Sequence, residues 1–110
     1  MRLGATAPPL RAPSERFWMK KLIGNVRIQP QPGSDTIGPH FAIDFQPYSG
    51  KLNTQTVRVT THDDLVHFLI ELKISEDEAA RWAGRARSSL VLIPSVERSE
   101  ELLKDKGLLG

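Results

Sequence analysis

The sequence contains no cysteine, few aromatic residues and no long apolar run. The lack of cysteine excludes disulfide frameworks, thiolate zinc sites, iron–sulfur clusters and a cysteine nucleophile. Apolar runs such as 90–93 fall far short of the roughly 18 residues that a membrane-spanning helix needs, so we expect no helical membrane span. The first residues also lack the apolar run of a secretory signal peptide, which favours a cytoplasmic protein, although Arg2 and Arg11 with a single nearby acid leave a transit peptide open.

What is present resembles an average soluble protein: 110 residues, of which 39% are hydrophobic and 25% charged. This length suits one domain. The charges are unevenly divided, since residues 1–60 carry eight basic and three acidic side chains and residues 61–110 carry seven and ten. Such a division can attract a polyanion, or it can belong to two solvated faces of an ordinary fold, and we favour the second interpretation.

The amino-terminal segment has a composition of its own. Its first sixteen residues carry three prolines and three alanines and show no helical or strand period, which predicts a disordered tail over 1–16. An alternative is that Met19, which opens a sequence typical of a natural chain start, is the true first residue and that 1–18 is an upstream extension of the reading frame. In either case we expect a single folded domain over 17–110.

Alternation of apolar and polar side chains predicts three strands in the first half of this domain. They cover residues 18–29, 41–45 and 52–60. A helix is the competing prediction for the start of the first strand, because Pro13 and Ser14 could begin it and Gly24 could end it. Turns around 33–35 and 48–50 would join the strands into an antiparallel meander.

The second half changes to a period near 3.6, which is typical of amphipathic helices. Thr61, Ser75 and Ser99 are predicted N-caps, because an acidic first turn follows each of them. The apolar run 90–93, stopped by Pro94, predicts a short strand buried on both faces. The predicted helices cover 62–73, 76–87 and 99–106, and the last is expected to end at Gly107.

These elements follow the order β-β-β-α-α-β-α, which predicts an α+β fold. We expect a mostly antiparallel sheet of three to four strands with the helices packed on one face. The first helix would cover the sheet with the apolar stripe Leu65, Phe68, Leu69 and Leu72.

Common catalytic motifs are missing from the sequence. It has no Gly-x-Ser-x-Gly elbow, no phosphate-binding Gly-x-x-x-x-Gly-Lys loop and no Gly-x-Gly-x-x-Gly fingerprint. The paired acids of the helical segments are better explained as first-turn charges than as general acid–base pairs. We therefore expect a protein that is not an enzyme and needs no cofactor.

Two pairs of residues have the spacing of metal ligands. Asp63 and His67 are four positions apart and Asp64 and His67 are three apart, so either pair could share a helix face and bind a divalent ion. A third ligand would have to come from His40 or Asp44, and nothing in the sequence brings either of them near. We favour the interpretation that the acids face the helix dipole and that His67 is a surface histidine, which leaves no metal site.

Basic residues suggest a second function, nucleic-acid binding. Arg81 and Arg85 lie one helical turn apart, but the acids at 76–78 open the same helix and would repel a polyanion. Pairing of these arginines with Asp77 and Glu78 is the favoured explanation. On the sheet, Phe41 and Phe45 are in phase with the core and could not stack on bases. The residues of this alternative are Lys20, Lys21, Arg27, Arg58, Arg81 and Arg85.

By elimination, the sequence favours a small non-enzymatic protein-interaction or accessory module that binds a protein partner or a second copy of itself. Trp18, Tyr48 and Trp82 are its candidate anchors, since tryptophan and tyrosine often carry interface energy. Trp82 is also in phase with the core. Leu108 and Leu109 either dock back on the domain or are offered to a partner.

Overall fold

A computed structural model describes residues 20–110 of the chain. In it, four antiparallel strands form a sheet with three helices on one face. The elements are β1 Lys21–Gln31, β2 His40–Pro47, β3 Val57–Val59, α1 His62–Glu71, α2 Glu76–Ala86, β4 Val91–Ser99 and α3 Glu100–Asp105. This order confirms the predicted α+β class. The predicted tail over 1–16, the competing helix start near Pro13 and the candidate anchor Trp18 lie outside the described residues.

Across the sheet the strands are ordered β3-β2-β1-β4, which confirms the meander predicted for the first three. β1 and β2 form a long hairpin whose register runs from Gly24 opposite Pro47 to Gln31 opposite His40. β4 returns along the other side of β1 and is antiparallel to it. β1 and β2 are therefore the two central strands.

One face of the central strands forms the floor of the core. Val26 and Ile28 of β1 and Ile43 and Phe45 of β2 are fully buried, whereas the residues between them are not. The helices close over this floor with the predicted apolar stripe and with small side chains that allow close packing. Their buried residues include Leu65, Phe68, Leu69, Leu72, Ala79, Ala83 and Ala86. Each large side chain buried here contributes roughly 1.5–3 kcal/mol of gross driving force.

The three predicted N-caps are confirmed. The hydroxyls of Thr61, Ser75 and Ser99 accept hydrogen bonds from backbone amides three residues on, at 3.0, 3.3 and 3.1 Å. Such a cap satisfies one of the amides that have no partner inside the helix. The helices are 10, 11 and 6 residues long, and in the described part of the chain none is long and apolar enough to cross a membrane.

The chain end docks back on the domain. Gly107 has a φ of 81°, the left-handed conformation predicted for it, and the Leu108 amide then donates to the Leu103 carbonyl at 2.9 Å. Leu103 and Leu108 are fully buried, and Leu109 is 5% exposed. Of the two alternatives for Leu108 and Leu109, the structure therefore shows the one in which they complete the core.

β4 differs from its prediction in length and in burial. It continues through Pro94 to Ser99, and only one of its faces is buried, since Leu92 is 43% exposed. Pro94 is tolerated because β4 lies at the sheet edge and carries an extra residue there: Gly24 faces Val96, but Val26 faces Ile93.

Two other strand boundaries were also predicted inaccurately. β1 extends through Pro30 to Gln31, and β3 is only Val57–Val59 instead of 52–60. The segment before β3 pairs with the chain end instead of β2: Thr54 forms a bridge with Leu109, and the Gln55 amide donates to the Leu108 carbonyl at 2.9 Å. Tertiary contacts that are distant in sequence thus shorten the strand.

Gly24 is needed where β1 and β2 approach each other, and this requirement generates our first prediction. A Cβ at this position would overlap the Gln46 carbonyl oxygen and lie 2.7 Å from Pro47 Cα. We expect Gly24→Ala to lower the free energy of unfolding by about 2–4 kcal/mol, because backbone has to move to accommodate the methyl group. Urea unfolding followed by circular dichroism measures this loss.

Gly84 in α2 supplies the matched control. A Cβ there meets nothing within 4 Å, so Gly84→Ala should stabilise the domain by about 0.5–1 kcal/mol through helix propensity alone. If Gly24→Ala has the same free energy of unfolding as the wild type, the close approach of β1 and β2 at this position is contradicted.

Candidate functional site: the open face of the sheet

Within residues 20–110 the helices leave one face of the sheet uncovered, which we call the open face. It carries the residues that alternate with the core positions, among them Ile23, Asn25 and Arg27 of β1. The strand register places Asp44 of β2 on one side of Arg27 and Leu92 of β4 on the other. A row of apolar, basic and acidic side chains therefore crosses the open face.

Arg27 and Asp44 form a bidentate ion pair in this row. Arg27 Nε and Nη2 donate to Asp44 Oδ1 and Oδ2, each at 3.0 Å. The side chains are 38% and 17% exposed, so solvent screens the pair and its net contribution to stability is on the order of 0–1 kcal/mol. Its larger effect is geometric, because the two parallel hydrogen bonds orient both groups and their charges cancel locally.

Tyr48 is held across β1 by three elements of the sheet. It follows β2 directly, and its amide donates to the Ile23 carbonyl at 3.0 Å. Its hydroxyl donates to Asn25 Oδ1 at 2.8 Å and accepts from the Ser95 amide at 2.9 Å. The side chain thus passes over the open face from the end of β2 to β4, while its residue stays 53% exposed.

The irregularity in β4 makes this contact possible. Ser95 has a φ of 56° and lies where β4 carries its extra residue opposite Asn25. A bulge takes an amide out of the regular ladder, and the Tyr48 hydroxyl is the acceptor that satisfies it. The bulge and the tyrosine therefore position each other.

Three exposed apolar residues accompany Tyr48, and we call the four together the apolar strip. Ile23 and Leu92 are each 43% exposed, and Leu90, which alternates with buried Val91, is 47% exposed. Tyr48 lies between the Ile23 end and the Leu92 end. The apolar strip consists of Ile23, Tyr48, Leu90 and Leu92, and it runs along the β1–β4 side of the open face.

The predicted interaction residues have different environments. Tyr48 is exposed on the open face, whereas Trp82 is half-buried against the core with the Arg85 guanidinium 5.2 Å from its ring centre. Leu108 and Leu109 are core residues and are not accessible to a partner. Sequence reasoning missed Ile23 and expected Leu90 and Leu92 to be buried.

The predicted basic residues lie on two separate surfaces. Lys21 and Arg58 are exposed, and the pairing of Arg58 with Ala42 places it on the open face, as does the alternation of Lys21 with Leu22. Arg81 and Arg85 are exposed on α2, in the helix layer. Lys20 is exposed just before β1. In residues 20–110 neither arginine of α2 forms the predicted ion pair with Asp77 or Glu78 within 4 Å.

The weak metal-ligand pair, Asp63 and His67, lies exposed on α1. Asp44, one of the two proposed third ligands, is bound to Arg27 on the open face. Across the described part of the chain, no three histidine or carboxylate side chains converge as metal ligands.

Comparison of the chain with protein-family models, curated proteins and solved structures finds no match. The function is therefore inferred from the geometry alone.

The Tyr48 contact generates the second prediction. We expect Tyr48→Phe to lower the free energy of unfolding by about 0.5–1.5 kcal/mol, because the Ser95 amide loses its acceptor. Hydrogen exchange at the Ser95 amide should accelerate together with this loss.

Ser95→Gly is the control for this variant. It keeps the amide donor and relieves the left-handed backbone, which offsets the loss of the Ser95 Oγ contact with the Tyr48 hydroxyl at 3.3 Å, so we expect little change in the free energy of unfolding. Unchanged exchange of the Ser95 amide in Tyr48→Phe would contradict the proposed link.

Proposed function

We propose that this protein is a cytoplasmic, non-enzymatic interaction module that binds another protein through the open face of its sheet. The observation that carries the proposal is the apolar strip. Within it, the hydrogen bonds of the Tyr48 hydroxyl fix an exposed aromatic ring over β1, between Ile23 and Leu92. An anchor whose conformation is already fixed loses little entropy on binding.

The chemistry of the open face favours a protein partner. Interfaces are built from an apolar centre with a polar rim, and aromatic side chains are enriched at the centre. The apolar strip supplies such a centre, and the Arg27–Asp44 pair lies beside Leu92 with both charges already matched. A nucleic acid would instead favour several basic groups beside several stacking aromatics, whereas in residues 20–110 this face carries two basic groups without an ion pair, Lys21 and Arg58, and one exposed aromatic ring, Tyr48.

The charges at the margins indicate what the partner carries. Lys21 and Arg58 lie on the open face, and in residues 20–110 neither forms an ion pair within 4 Å. Opposite potentials across an interface fix orientation and increase the association rate. We infer a partner surface with apolar side chains at its centre and carboxylates at its rim.

A photo-crosslinking experiment tests this function and provides the third prediction. A benzophenone side chain at position 90 should form a discrete protein adduct in the native cells. Leu92→Ser should lower the adduct yield about 5–30-fold, because an apolar contact worth about 1–2 kcal/mol is lost. Adduct yield is measured on gels and the partner is identified by mass spectrometry.

Ile37→Ser is the matched control, since Ile37 is 53% exposed but lies in the loop between β1 and β2. It should leave the yield unchanged. The proposal is wrong if both variants give the same yield, or if the adduct is nucleic acid.

The exposed arginines of α2 support a second candidate function, weak nucleic-acid binding. Arg81 is exposed with no ion pair in residues 20–110, and Arg85 lies over Trp82 and also has none. The three acids at the start of the same helix oppose this function.

Ionic strength distinguishes the two functions and supplies the fourth prediction. A protein that contacts six or more phosphates loses about 10³-fold or more in affinity between about 50 and 200 mM salt. We expect the affinity for the crosslinked partner to change less than about tenfold over this range, because apolar contacts are not screened. Fluorescence anisotropy with the purified partner measures this affinity at each salt concentration. A steep loss of affinity with salt that Arg81→Gln and Arg85→Gln abolish would favour the nucleic-acid-binding function.

A further inference from the structure

A pocket of about 530 Å³ opens at the end of the sheet nearest the β1–β2 loop. Its walls come from the end of β1, both ends of the β1–β2 loop, the start of β2, the residue after β3, the first residue of α1 and the residue after α2. Pockets that bind small molecules have volumes of roughly 300–1,000 Å³. The pocket shares no lining residue with the apolar strip, so a ligand here does not depend on the proposed function.

One side of the pocket is apolar and stiff. Pro30, Pro32 and Pro39 line it together with Phe41, whose ring is half-buried. Proline restricts the backbone of both strand ends, so this wall changes little in shape. It suits a flat apolar group.

The polar side chains of the pocket are neutral or basic, and none of its lining residues is acidic. Arg87, His40 and His62 provide the basic groups, and Gln31 and Thr60 provide neutral ones. Arg87 is exposed and, in the part of the chain described, its side chain has no hydrogen-bond or ion-pair partner. Its guanidinium is therefore available to an incoming group.

The histidines have distinct hydrogen-bonding states. His40 Nδ1 lies 3.0 Å from the Gly38 carbonyl, which can only accept, so Nδ1 donates and Nε2 is left for a ligand. His62 Nδ1 is buried and has no hydrogen-bond partner among residues 20–110, which leaves Nε2 as the ring nitrogen for a ligand. In the tautomer protonated at Nε2, His62 donates to that ligand.

We propose that this pocket binds a small organic anion: a carboxylate or phosphate group attached to a flat apolar body. Arg87 pairs with the anionic oxygens, His62 donates to the same group, and the proline and Phe41 wall covers the apolar part. A guanidinium favours carboxylate and phosphate because its parallel N–H groups match two oxygens.

Three related probes test the proposal in an NMR titration of the full chain, which provides the fifth prediction. They are 2-naphthoate, 2-naphthyl phosphate and the neutral 2-naphthamide. We expect saturable shifts of the His40, His62 and Arg87 amides with at least one anion, and binding of the amide weaker by about tenfold or more, since it lacks the charge. Whichever anion binds more tightly identifies the carboxylate or phosphate class.

Variants assign the effect to the pocket. Arg87→Gln should weaken anion binding about tenfold or more, and His62→Gln should weaken it less. Arg81→Gln is the matched control, an exposed arginine on α2 that does not line the pocket, and should bind as wild type. Thermal unfolding verifies that each variant is folded.

Three results would overturn the proposal: equal affinity for amide and anions, unchanged binding in Arg87→Gln, or no binding of either anion with a Kd below about 1 mM. None of these three results depends on whether the photo-crosslinking experiment gives a protein adduct at the apolar strip. The anion-binding proposal and the interaction function can therefore fail separately.

Discussion

The alternation of buried and exposed residues along the two central strands is the constraint on which the rest of this structure depends. Val26 and Ile28 on β1 and Ile43 and Phe45 on β2 all point to the helix layer. A shift of one residue in their register would move these side chains to solvent and bring the Arg27–Asp44 pair into the core. The same alternation that builds the core therefore also determines which residues face outward on the open face.

A second constraint acts where the regular pattern fails. The extra residue in β4 leaves the Ser95 amide outside the ladder, and the Tyr48 hydroxyl accepts its hydrogen bond. Bulges often re-aim a side chain near functional sites. Here the bulge supports an exposed aromatic ring in a fixed orientation, a property that an ordinary surface tyrosine on a flexible loop lacks.

The two candidate sites use different parts of the fold. The apolar strip depends on the face of the sheet that none of the three described helices covers, and it offers area and shape. The pocket lies at the end of the sheet, where His40, His62 and Arg87 come from three different elements. The two candidate sites share no residue, so each can be altered by mutation without changing a residue of the other.

Local signals in the sequence determined much of this protein. The element order, the N-caps at Thr61, Ser75 and Ser99, and the left-handed end at Gly107 all follow from neighbouring residues, because caps and periodicity act over one or two turns. Tyr48 could also be selected as a candidate anchor from its residue type.

Only the tertiary structure decided which surfaces these elements present. Leu92 looked buried because its run is wholly apolar, but β4 became an edge strand with one open side. The chain end took the hydrogen bonds of 53–55 that a longer β3 would have used, and it buried Leu108 and Leu109. His40 and His62, 22 positions apart in the sequence, line one pocket through the same kind of long-range packing. Such contacts are set by the arrangement of whole elements, which no local pattern encodes.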